Sequence, residues 1–127
     1  MWQKYNPNPQ GNRVGDCVIR AISKITNQTW EKTYCELVIY GLMMCDMPSA
    51  NHVWGKYLKD KGYKRHIPAD DCPDCYTVED FANEHFKGKF ILALNGHVIA
   101  VEDGSWFDTW NSKDEIVQYY WTCESEE

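Results

Sequence analysis

The chain has no apolar run long enough to cross a bilayer. Its longest, Phe90–Leu94, falls far short of the roughly 20 residues a spanning helix needs. Its opening, Met1-Trp2-Gln3-Lys4-Tyr5-Asn6, lacks the apolar stretch of a secretory leader. A cytoplasmic protein with no membrane partner is therefore expected. Basic residues are few and scattered, 13 Lys and Arg against 19 Asp and Glu, for a net charge of −6. A nucleic-acid partner is not expected on that balance. Internal repeats, linkers and low-complexity segments are also missing. So is a second metal-spaced pair to go with Cys72-Pro73-Asp74-Cys75, the lone Cys-x-x-Cys, and no cofactor is expected.

What remains is ordinary for a globular protein: 127 residues, 43% hydrophobic and 25% charged. One domain over residues 1–123 is the natural size, with Glu124-Ser125-Glu126-Glu127 as a solvated acidic tail. Six cysteines are many, yet below the roughly 8–10% that marks a disulfide scaffold. Without a sign of secretion, free thiols are expected. One of them is set apart by its position.

The first 15 residues are polar and rich in turn formers, an extended or looped lead-in. From Cys17 the positions Val18, Ala21, Ile22 and Ile25 follow helical spacing behind an Asp16 cap. Thr29 caps a second helix to about Met43, with Trp30, Tyr34, Leu37 and Val38 inward. Pro48-Ser49 opens a third, carrying Val53, Trp54, Tyr57 and Leu58 and ending at Gly62. Thr77-Val78-Glu79-Asp80 is a capping-box start for a fourth, closed by Gly88. Beyond it the period becomes extended: strands at Phe90–Leu94, His97–Glu102, Trp106–Trp110 and Ile116–Trp121, with turns at Asn95-Gly96 and Asp103-Gly104. Helices before strands predict an α+β fold, N-terminal helices packed on a C-terminal antiparallel sheet.

Cys17 stands in the first turn of its predicted helix, where unpaired N–H groups and the helix dipole favour thiolate. A buried, inert thiol would occupy the same place. His97 opens a predicted strand and could exchange a proton with that sulfur. If Asp103-Gly104 is a two-residue turn, Glu102 faces Ser105 and the register places Ile99 opposite Asp108. Asp108 is then a diagonal neighbour of His97 on one face. Asn111 would replace it only if a bulge shifts the register by one residue. Trp106 and Trp110 share that predicted face, either as walls of a groove or as packing for a helix. His52, His66 and His85 read as ordinary surface residues.

Gly15-Asp16-Cys17-Val18-Ile19-Arg20-Ala21, then Gly96-His97-Val98-Ile99-Ala100-Val101-Glu102-Asp103-Gly104 and Asp108-Thr109-Trp110-Asn111, resemble the small papain-like cysteine peptidases of bacteria and phages. The resemblance covers about Asn6 to Trp121. It implies a papain-like fold with a catalytic Cys17, His97 and Asp108, Asn111 being the alternative third member. It further implies amide or peptide hydrolysis through an acyl-enzyme, on a peptide or protein substrate. Where larger members carry an oxyanion-hole Gln ahead of the cysteine, this chain has Gly11 flanked by Gln10 and Asn12, and either amide could serve. Two other outcomes fit the same scaffold: a cysteine acyltransferase, or a non-catalytic papain-like module acting on a partner. Cys72 and Cys75 read as a surface loop before a metal or redox pair. Cys35, Cys45 and Cys123 read as packing residues.

Overall fold

The computed structural model describes residues 1–68 and 75–123. Within them the order is β1 (Trp2–Lys4), α1 (Cys17–Thr26), α2 (Trp30–Met44), α3 (Asn51–Asp60), β2 (Tyr63–His66), α4 (Val78–Glu84), β3 (Lys89–Leu94), β4 (His97–Glu102), β5 (Ser105–Asp108) and β6 (Tyr119–Cys123). The strands form one sheet in the order β1-β5-β4-β3-β6-β2. The α+β expectation holds at that level, but the sheet is mixed: β1 runs parallel to β5, inside the segment read as a lead-in. Its other edge is β2, a Tyr-Lys-Arg-His strand paired with β6 and not anticipated either. No helix among the described residues is long and apolar enough to cross a membrane. The acidic tail, residues 124–127, lies outside the described residues.

β3 and β4 are buried on both faces, which is why Phe90–Leu94 is apolar throughout instead of alternating. Ile91, Ala93, Val98 and Ala100 meet α1, α2 and α3 on one side. Phe90, Leu92, Leu94, Ile99 and Val101 meet α4 on the other, with Trp106 and Val117. Asp103 and Gly104 both take positive φ, 51° and 80°, as a tight hairpin turn requires. The register Glu102↔Ser105, Val101↔Trp106, Ala100↔Phe107 follows, as the two-residue turn dictates.

α1 lies across β4 and β3 and buries Val18, Ala21, Ile22 and Ile25 as its spacing predicts. Thr29 caps α2 by accepting the Lys32 N–H, but α2 turns Thr33, Leu37 and Gly41 inward and leaves Tyr34 and Val38 exposed, against expectation. Its sequence is apolar almost all round, so spacing alone does not choose a face. Gly41 does: a Cβ there would sit 2.7 Å from the Asp46 carbonyl oxygen, so only glycine lets the chain fold back on α2. The Thr77–Asp80 capping box forms as predicted, although α4 stops at Glu84 and not at Gly88. The last two strands are also displaced from the expected spans, β5 ending at Asp108 and β6 starting at Tyr119.

Candidate active site

Cys17 is the first residue of α1, and α1 aims its N-terminus at the start of β4. Asp16 does not cap the helix with its side chain, contrary to expectation. Its carboxylate instead accepts from Arg20 at 2.7 Å through Oδ1 and from Trp30 Nε1 at 2.8 Å through Oδ2. The N–H groups of Cys17, Val18 and Ile19 consequently find no acceptor among the described residues. They form an electropositive end beside the sulfur.

The Cys17 sulfur faces the His97 ring and the Val98 N–H, and both favour its charged form. His97 Nε2 donates to Asp108 Oδ2 at 2.6 Å, which leaves Nδ1 for the sulfur. Asp108 is 1% exposed and fully engaged. Oδ2 accepts from Ser112 Oγ at 2.9 Å as well, while Oδ1 takes the Thr109 N–H at 2.8 Å and the Arg20 guanidinium at 3.5 Å. Arg20, itself buried, thus joins Asp16 to Asp108. Trp110 stacks on the imidazole, centroids 5.4 Å apart, and shelters its bond to Asp108.

These contacts set the protonation states. Burial pushes the Cys17 thiol up, but the His97 hydrogen bond, the Val98 N–H and the positive charges of His97 and Arg20 outweigh it, leaving its pKa below the ordinary value. Burial likewise pulls His97 down. The hydrogen bonds to Asp108 and Cys17 and the charges of those two groups overcome it and raise His97 to about 9. Each group thus favours the charged form of the other, thiolate beside imidazolium.

Cys17, His97 and Asp108 therefore come together, and the diagonal relation read from the hairpin is realised. The face is not the one parity assigns. Alternation groups His97 and Asp108 with Ile99 and Trp106, which lie under α4, yet both side chains meet α1. They stand past the last rung that joins β4 to β5, Ala100↔Phe107, although His97 still pairs with Leu94 and Asp108 with Lys4. Asn111 stays away from His97 and accepts from Trp106 Nε1 at 3.0 Å and from the Lys113 N–H. Trp106 is core, not a groove wall.

A cavity of about 500 Å³ opens at Cys17 and His97, lined also by Ser49, Asn51 and Gln118. Gln10 and Asn12 are exposed in the preceding turn and do not line it. The amides in the cavity are Asn51 of α3, Asn95 of the β3–β4 turn and Gln118 just before β6; Asn51 and Gln118 lie too far along the chain for local spacing to find. Asn51 Oδ1 accepts from Trp54 Nε1 at 3.2 Å, so its NH2 remains available. Arg20 and Ser112 were missed too. The only signal was an arginine four residues after Asp16 within an apolar helix.

The other cysteines and histidines depart from expectation in several places. Cys75 is disulfide-bonded and not a free thiol; Cys72 lies outside the described residues. No three His, Cys, Asp or Glu side chains among the described residues converge on a metal position. Cys35 and Cys45 are exposed, so they pack nothing, and Cys45 closes α2 in the left-handed region at φ 55°. His85 stacks on Phe81 and His66 on Tyr120, while His52 stays on the surface beside Asp46. Comparison with protein families, curated proteins and solved structures finds no match to this chain.

Proposed function

We propose that the chain is a papain-like thiol hydrolase that cleaves an amide bond in a peptide or protein. One observation carries the reading: the continuous line Cys17–His97–Asp108, at the free N-terminus of a helix and open to a cavity. The Cys17 thiolate attacks the carbonyl carbon, forming the C–S bond and moving the π pair onto oxygen. The resulting oxyanion lies against the Cys17 N–H and an amide of Asn51 or Gln118. His97 passes its proton to the leaving nitrogen as the C–N bond breaks, which leaves a thioester. Water then attacks, His97 takes a proton from it, and the thiolate departs with the acid released. Asp108 holds the ring and its charge throughout.

The tuning supports catalysis over a scaffold retained only for binding, because binding alone needs neither a depressed thiol nor a raised imidazole. Digestion of a mixed peptide library, read by mass spectrometry, tests the proposal. Wild type is expected to give new termini and, on acid quench, an acyl group on Cys17. Cys17→Ala should give neither, and His97→Ala should be slowed roughly 10²–10⁴-fold. Equal cleavage by Cys17→Ala would refute the assignment.

A further inference from the structure

The chain carries net charge −6, yet among the described residues one surface groove is lined by basic side chains and no acidic one. It holds about 960 Å³ between α3 and the β2–β6 edge, and it joins the Cys17 cavity through two shared residues, Asn51 and Tyr119. Helical spacing explains one bank: Asn51, Gly55, Lys56 and Lys59 form a stripe along α3. Gly55 keeps the floor low, since a Cβ there would lie 3.3 Å from the Trp121 ring. Arg65 supplies the other bank, its guanidinium 5.1 Å from the centroid of the Tyr119 ring.

The charges are not all internally consumed. Lys56 pairs with Asp60 at 2.9 Å and His52 with Asp46 at 2.7 Å. Lys59 and Arg65, both exposed, have no carboxylate partner among the described residues. Two cations without a carboxylate among the described residues, over an aromatic floor, suit a chain that brings both carboxylates and hydrophobic stems. A long polyanion would meet the acidic surface outside the groove.

We infer that this groove is the substrate channel on one side of the scissile bond, and that it selects peptides with acidic residues there. The inference rests on the hydrolase reading, because it takes the Cys17 cavity as the point of cleavage. Asn51 stands where groove and cavity meet, so it would contact the substrate backbone closest to the reacting carbon.

Binding is read apart from cleavage by using the Cys17→Ala protein and a fluorescein-labelled peptide bearing several Glu, followed by anisotropy. The acidic peptide is expected to bind about tenfold more tightly than its Gln counterpart, with the preference shrinking as salt rises. Lys59→Glu with Arg65→Glu should abolish it. Both positions are exposed, so the fold survives, which circular dichroism checks. Equal binding of the Glu and Gln peptides, or an unchanged preference in the double variant, overturns the inference. A single-stranded oligonucleotide of matched charge that competes as well as the acidic peptide overturns it too. Preferential binding without cleavage by wild type sustains the groove and sinks the hydrolase reading. Cleavage with no acidic preference does the reverse.

Discussion

Replacing Asp108 by Asn removes a charge and keeps the shape, and the consequences can be worked from the geometry. Asp108 Oδ2 holds His97 Nε2 at 2.6 Å and is its strongest source of positive-charge stabilisation. With its present partners His97 rises from 6.5 to about 9, which corresponds to about 3 kcal/mol between its two forms. Without the carboxylate, only Cys17 opposes burial and His97 should titrate well below 9. The thiolate then loses its cation, and Cys17 alkylation at pH 7 should fall about 10- to 100-fold. Ring-carbon chemical shifts of His97 followed against pH give its titration directly, and iodoacetamide kinetics at Cys17 give the second quantity. Arg20 keeps Asp16 as a partner, so the variant should fold, at a cost of about 1–3 kcal/mol for the altered buried bonds. A His97 that still titrates near 9 in the variant would refute the argument.

The same pair makes stability depend on pH. A folded-state pKa raised from 6.5 to about 9 means that the His97 contribution is complete below about 6.5 and fades as pH climbs through 9. The lowered Cys17 thiol contributes the opposite trend, so in chemical denaturation the decline should show in Cys17→Ala and be lost when His97→Gln is added. Arg20→Leu leaves Asp16 as a buried, uncompensated carboxylate and Asp108 with His97 as its remaining cation, and should cost about 3–5 kcal/mol by denaturant titration. Gly41→Ala drives a methyl into the Asp46 carbonyl and should cost about 1–3 kcal/mol, whereas Gly15→Ala, with open space around it, should not.

The hairpin shows how far the sequence reaches. Asp103-Gly104 admits one register, and that register makes Asp108 the diagonal neighbour of His97, though it does not give the face on which they meet. The Thr77–Asp80 box is equally local and equally readable. The two edge strands were not legible, for a common reason. β1 is three residues in a polar segment, and β2 is charged; edges carry little apolar pattern and are recognised only by the partner they find. Asp16 shows the other limit. As an acidic residue just before a helix it reads as a cap, but Arg20 and Trp30 compete for its oxygens and win. Two of the amides lining the cavity, Asn51 and Gln118, are 67 residues apart in sequence, and only the tertiary fold brings them together.

Everything functional here depends on Cys17 being a thiolate held by His97. The most direct measurement is the rate at which each free cysteine reacts with limiting iodoacetamide at pH 7, mapped by peptide mass spectrometry. Cys35 and Cys45 are exposed and Cys17 is only partly so, which makes the comparison demanding. Preferential labelling of Cys17, lost in His97→Ala, is the expected result. Labelling that simply follows exposure, with Cys35 and Cys45 ahead and no response to His97→Ala, would contradict it.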